Sequence, residues 1–208
     1  MITLQEPTGQ AISDYLVSLA DAPFNYDAIG CVKRGTPSGF VRDESVLRLG
    51  SGEAAFESAC DGIRSWTNFP KTMVSMVRLS DAIEVGTTVA VVCYAAGVWT
   101  ANPARILATH DEVCGDVRKF GFTYGTLAGH VERGEERFCI EWDLASDQVT
   151  YRIIAVSRPS HPFCWIAYPY ARRMQAKFRQ LSGEAMQAFV ADRVPATELK
   201  ETTRLVEV

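Results

Sequence analysis

Gly121–Phe138, GFTYGTLAGHVERGEERF, joins two runs of alternating apolar residues. Phe120, Phe122 and Tyr124 come at spacing two on one side, and Phe138, Ile140, Trp142 and Leu144 follow at the same spacing on the other. A period of two sends successive side chains to opposite faces, so each run predicts a half-buried strand. Gly125, Gly129 and Gly134 punctuate the connection and supply turn geometry. Paired antiparallel, the strands bring Tyr124 and Glu136 to the same end, on the faces that carry Phe122 and Phe138. Phase alone then aims a phenol and a carboxylate at the mouth of an apolar face, with His130 and Glu132 on the loop above. The competing reading is structural: the glycines set the turn and the loop charges are solvated.

Working outward, the chain is almost all strand signal from Met73 to Pro159. Thr87–Ala96, TTVAVVCYAA, is nearly continuous and predicts a strand covered on both faces. Val98–Thr100 and Ala104–His110 read as strands around a turn at Asn102-Pro103. Downstream, Gln148–Ser157 puts Val149, Tyr151, Ile153 and Ala155 on one face. Short connections predict that these runs pair as an antiparallel meander. Phe40–Leu49 is a further strand, broken by Gly50-Ser51-Gly52.

Three stretches have helical spacing. Ala11–Ala20 places Ile12, Tyr15, Leu16 and Leu19 on one side and ends before Pro23. Glu53–Phe69 carries the stripe Phe56, Ala59, Cys60, Ile63 and Trp66, with Ser51 as N-cap and Pro70 as the stop. Phe163–Ala191 carries Ile166, Tyr170, Met174, Phe178, Leu181, Ala185 and Phe189, with Arg172, Arg173, Lys177 and Arg179 turned mainly elsewhere. Pro169 kinks this helix or marks its start. A long helix with one apolar stripe needs a concave apolar partner. The expected fold is therefore α+β, an antiparallel curved sheet wrapped around a long C-terminal helix, plus a short N-terminal helix. One domain is expected over residues 1–208, with an N-terminal helical segment (1–22), a core (23–192) and a tail (193–208).

Composition narrows the function classes. The chain has 208 residues, 47% hydrophobic and 22% charged, ordinary values for a globular protein with a substantial core. A net charge of −4 gives no general reason to expect nucleic acid as a partner. No apolar run is long enough to span a membrane, and MITLQEPTGQ lacks the basic-then-apolar form of a signal peptide, so the default address is cytoplasmic. Cys31, Cys60, Cys93, Cys114, Cys139 and Cys164 are scattered without a C-x-x-C pair and read as thiols. The histidines also stand apart, so neither a metal nor a cofactor is expected. Gly125–Gly129 lacks the glycine–lysine–hydroxyl ending of a phosphate loop, and no G-x-S-x-G elbow occurs. Oligomeric state is not written in these features.

Within this frame, Tyr124–Phe138, YGTL-x-GH-x-E-x-GEE-x-F, is similar to the signature of a bacterial and plant family known as a domain of unknown function. Val85-Gly86, Ser157-Arg158-Pro159 and Pro169-x-x-Arg172-x-x-Gln175 match that family's pattern too, so the likeness runs from about Pro23 to the C-terminal helix. The element order also resembles the helix-grip superfamily (START-like, SRPBCC-type), which includes lipid carriers, the birch-pollen-allergen fold and some polyketide cyclases. That resemblance implies a cavity between helix and sheet, holding a small hydrophobic or amphipathic ligand. The expected ligand-binding residues are Phe122, Tyr124, His130, Glu136, Phe138, Trp142, Tyr151 and Arg158, with Glu136 paired to Arg158 across adjacent strands. Candidates for acid/base catalysis are His130, Glu132, Glu136 and Tyr124. Three readings stay open: a binding protein, an enzyme of cyclase or hydrolase type using the same pocket, and a scaffold with a filled core.

Overall fold

The computed structural model describes residues 1–160, 168–195 and 206–207. In chain order it contains β1 (Ile2–Thr3), α1 (Gly9–Ser18), α2 (Cys31–Arg34), β2 (Val41–Ser51), α3 (Gly52–Arg64), β3 (Ser75–Arg78) and β4 (Thr88–Ala95). There follow β5 (Val98–Cys114), β6 (Val117–Thr126), β7 (Glu132–Asp143), β8 (Gln148–Pro159), α4 (Tyr168–Ala191) and β9 (Val206–Glu207). The strands form one antiparallel, curved sheet in the order β3-β4-β5-β6-β7-β8-β2-β9, with β1 added on β5. From β3 to β8 this is the expected meander. β2 lies beyond β8, so α3 and residues 65–74 carry the chain across the inner face to the far edge.

Phase sorts the strand residues as expected. Phe122 pairs with Phe138 and Tyr124 with Glu136, and Phe138 in turn lies opposite Ile153. The inner face joins these aromatics to Leu47, Tyr151, Phe56 and Ile63, and to Met186 of α4, in the main core. The outer face carries two smaller layers. Ile12 and Leu16 of α1 cover Ala90 and Val92, while Tyr26, Cys31 and Val32 cover Ile154 and Val156. β4 is thus buried on both faces, as its continuous apolar run implies.

Curvature has a local cause at two strand glycines. Gly121 and Gly134 have φ of 155° and 147°, and a Cβ on either would run into the neighbouring strand at the Phe138 or Val156 carbonyl. Only glycine permits that close approach, and such kinks bend a sheet.

Four expectations are corrected. β5 runs unbroken through Asn102-Pro103, with Pro103 opposite Ala90. The Pro103 carbonyl accepts from the Leu127 N–H at 3.0 Å. The missing Pro103 N–H therefore faces the same way, past the last β5–β6 rung at Ala104–Thr126, and no rung is lost. The turn lies instead at Ala96-Gly97, both with positive φ (52° and 84°), as a two-residue hairpin requires. Gly50-Ser51-Gly52 does not end β2 early, because the strand bulges between Arg48 and Gly50 and passes straight into α3. That helix stops at Arg64, well before Pro70, where Trp66 takes a left-handed φ of 59°.

The fourth correction concerns α4. Its most buried residues are Arg179, Ser182, Gly183, Met186 and Val190, displaced around the helix from the expected stripe. Phe178 is half-buried, Tyr170 is exposed, and Ile166 lies outside the described residues. Small residues explain the rotation. A Cβ on Gly183 would press on Leu47, and one on Gly62 of α3 would press on Met186. Closest approach follows the glycines, not the largest apolar side chains. Arg179 consequently faces inward. Pro169 falls in the first turn of α4, where a missing N–H costs no helical bond.

Candidate functional site

α3 covers only one end of the inner face. Beyond it, the N-terminal half of α4 spans the sheet without a second helix beneath, and a cavity of about 310 Å³ opens there. Among the described residues its apolar walls come from Phe69 and Met73 after α3, Val91 and Cys93 of β4, and Met174 and Phe178 of α4. Its polar wall comes from Tyr124, His130, Glu132, Glu136, Ser157, Gln175 and Arg179.

The polar wall holds two hydrogen-bonded groups, one at Glu136 and one at Glu132. The Tyr124 hydroxyl donates to Glu136 Oε2 at 2.5 Å. Gln175 Nε2 donates to Glu132 Oε1, and the Ser157 hydroxyl donates to Glu132 Oε2 at 3.4 Å. Arg172 donates to Gln175 Oε1 at 2.9 Å and through Nη2 to Asp43 Oδ1 at 2.5 Å. Arg179 lies 3.6 Å from the same Asp43 oxygen. His130 accepts the Glu132 N–H on Nδ1 at 2.9 Å.

Burial dominates the titration of these groups. It pushes the carboxyls of Glu132 and Glu136 up to about 7. For Glu132 the Glu136 charge adds to the rise; for Glu136 the Tyr124 hydrogen bond and Arg179 hold it back. His130 is pushed down to about 3, by burial first and then by the N-terminal ammonium group, so it is neutral near pH 7. Burial also raises the Tyr124 phenol well above its ordinary value. At Asp43 burial opposes ionisation, but the Arg172 hydrogen bond and both guanidinium charges outweigh it and the pKa falls. Near neutrality the two glutamates exchange protons, and the histidine does not.

The structure brings together Tyr124, His130, Glu132 and Glu136 from the expected set. It does not place Phe122, Phe138, Trp142 or Tyr151 on the cavity wall. Phe122, Phe138 and Tyr151 are almost fully buried. Trp142 packs on Phe56 at 5.6 Å, under α3, with its indole N–H on Asp147. The expected Glu136–Arg158 pair is absent for a reason of parity. Glu136 lies opposite Ala155, so Arg158, three residues on, points to the other face, where it stacks over Phe40 at 4.9 Å. The cation nearest in effect to Glu136 is Arg179.

Sequence reasoning missed Gln175, Arg179 and Ser157 as wall residues, and Asp43, which holds Arg172 and Arg179 behind that wall. A signal for two of them was present, since Ser157 and Gln175 belong to the runs matching the family pattern. Glu135 was also passed over. It sits one residue from Glu136 and so faces outward, where it is 2% exposed and accepts from the Tyr26 hydroxyl (3.0 Å) and the Gly30 and Val32 amides. The adjacent glutamates of the motif thus divide the work: Glu135 pins the segment around α2 to the sheet, and Glu136 faces the cavity.

A curved antiparallel sheet gripping a long C-terminal helix, with space between them at one end, is the helix-grip fold. Residues 25–185 match the family described as "Domain of unknown function (DUF1990)", and the chain belongs to that family. A UPF0548 protein of Dictyostelium discoideum is 33% identical over 196 residues, covering 86% of this chain and 90% of that one. Among solved structures, a hypothetical protein from Helicobacter pylori superposes with a TM-score of 0.50 at 14% identity, over 79% of this chain and 97% of its own. The major latex-like protein 151 of Panax ginseng also gives 0.50, at 12% identity, over 76% of this chain and 100% of its own. At such identities the likeness shows the fold. Among the described residues no helix is long and apolar enough to cross a membrane.

Proposed function

We propose that this protein binds a small amphipathic molecule in the cavity between α4 and the sheet. The observation that carries this reading is a space of about 310 Å³ with apolar side chains on one wall and hydrogen-bonded carboxyls on the other. At about 30 Å³ per water-sized group, it holds roughly ten non-hydrogen atoms. At about 0.6 kcal/mol per atom, within the bound for small ligands, the dissociation constant is on the order of tens of micromolar. The apolar wall supplies the affinity. The polar wall supplies selectivity, because a mismatched ligand leaves buried polar groups unpaired.

Native mass spectrometry of the purified chain tests the proposal. A small molecule should co-purify or be taken up at one per chain, and Ala155→Phe, which puts a ring beside Glu136, should exclude it. Uptake unaffected by Ala155→Phe would remove the cavity from the account.

A second reading, acid/base chemistry in the same pocket, is favoured by the carboxyls of Glu132 and Glu136 near 7, where a proton is given and taken readily. It requires that Glu136→Gln abolish turnover of a bound molecule while leaving its uptake intact.

A further inference from the structure

The hydrogen-bonding groups of the polar wall are unequally committed, and this bears on which head group fits. Most of the side-chain donors are engaged within the protein. The exceptions are Arg179 Nε, which is buried without a partner among the described residues, and His130, which accepts on Nδ1 and so carries its proton on Nε2. The Tyr124 hydroxyl is on Glu136 Oε2, Gln175 and Ser157 are on Glu132, and Arg172 and Arg179 are on Asp43. Asn102 is engaged at both ends, giving its amide protons to Val91 and Thr100 and accepting from the Val131 N–H. Glu136 Oε1, by contrast, receives no donor among the described residues, and Glu136 lines the cavity. An open acceptor asks for a donor on the ligand.

Charge points the same way. Around the polar end stand the carboxyls of Asp43, Glu132 and Glu136 and the guanidinium groups of Arg172 and Arg179. Both cations lie on Asp43, which leaves the two glutamates without a dedicated counterion. The remaining groups facing Glu136 are Tyr124 and Tyr151, which stay protonated, and His130 on the loop, which stays neutral. A ligand carboxylate would add a further anion to this set. A hydroxyl would satisfy the acceptor and leave the charge unbalanced.

We propose that the cavity prefers a primary amine on an apolar body of roughly eight carbons, with the ammonium seated against the Glu136 carboxylate. This rests on the cavity reading above and gives it a ligand class. Proton accounting follows. The ammonium keeps its three protons, and the fraction of Glu136 that is protonated in the free protein releases its proton to solvent as the pair forms. Uptake near pH 7 therefore releases up to one proton per ligand.

Isothermal titration of the full chain with octylamine, octanol and octanoate, in two pH 7 buffers of different ionisation heat, tests the assignment. Octylamine should bind at least tenfold tighter than octanol, with octanoate weakest, and only octylamine should release protons. Glu136→Gln should bring octylamine to within threefold of octanol and abolish the release. Octanol or octanoate binding as tightly as octylamine would overturn the amine assignment and leave the cavity reading standing. So would a Glu136→Gln variant that weakens all three alike. Octylamine binding that survives Ala155→Phe is surface adsorption and also overturns it. Failure of all three probes would remove both readings.

Discussion

The two ends of the sheet's inner face are built from the same strands in the same phase, yet one is solid and the other hollow. At the solid end, Phe122, Phe138, Ile140 and Tyr151 meet Phe56 and Ile63 of α3 and Met186 of α4. At the hollow end, Tyr124, Glu136 and Glu132 continue the same β6 and β7 faces, but α3 has stopped at Arg64 and only α4 lies above. Phase decides which side chains face inward. Whether they touch a packing partner or an open space depends on how far the covering helices reach. Polar residues are retained at the hollow end because there they have hydrogen-bond partners, and their titration reflects low-dielectric surroundings.

The contrast can be broken by truncating one aromatic at each end. Phe138→Ala removes a fully buried ring that contacts Phe69, Phe122 and Tyr124, and should cost about 3–5 kcal/mol in urea denaturation. Phe178→Ala removes a half-buried ring beside the cavity and should cost about 1–2 kcal/mol, since the space it leaves is already open on one side. Equal costs would mean that the cavity end is packed as firmly as the core.

Stability against pH sharpens the electrostatic half of the contrast. The Glu136 carboxyl is raised from 4.5 to about 7 in the folded chain. Between those values the native state holds more protons than the unfolded state, so this group withdraws stability as pH rises from about 4.5 to 7. Glu136→Gln lacks that loss. The variant should therefore gain on the parent between pH 5 and pH 8 by on the order of 2 kcal/mol, since a tenfold change in proton affinity is worth about 1.4 kcal/mol and solvent access from the cavity lowers the total. His130 and His110, pushed down to about 3 and about 4 by burial, act in the opposite sense, but both chains carry them and the difference cancels. A constant difference across pH 5–8 would place the Glu136 carboxyl in water.

The smallest expected effect concerns Arg158. A double-mutant cycle of Glu136→Gln and Arg158→Met should show coupling below about 0.5 kcal/mol, because the two side chains lie on opposite faces of the sheet. Arg158→Met alone should cost about 0.5–1 kcal/mol through its stacking on Phe40. Coupling above about 1 kcal/mol would contradict the register that places Glu136 opposite Ala155.

Much of the fold was legible in the chain. The alternating runs around Gly121–Phe138, the antiparallel pairing that brings Tyr124 and Glu136 to the same end, and a long C-terminal helix against the sheet follow from period and connection length. Two residues of the polar wall, Tyr124 and Glu136, followed from the same phase, and His130 and Glu132 from the connection between the two strands. The misreadings are equally physical. Pro103 looked like a turn because proline lacks a donor, but at the end of a ladder no donor is needed there. The apolar residues of α4 pointed to Phe178 and Tyr170 as the buried line, whereas Gly183 and Ser182 mark the closest approach. Arg158 was assigned to the site by nearness along the strand, and one step of parity put it on the other face.

The sequence by itself determined the strands β6, β7 and β8, their antiparallel pairing and most of the side chains they turn inward, because backbone period and short connections are local properties. Tertiary structure alone decided that α3 ends short of Tyr124, that Asp43 holds Arg172 and Arg179, and that the space beside Glu136 is open. Each of these depends on groups distant in the chain meeting at one place, and no local pattern encodes whether a volume enclosed by such groups is filled.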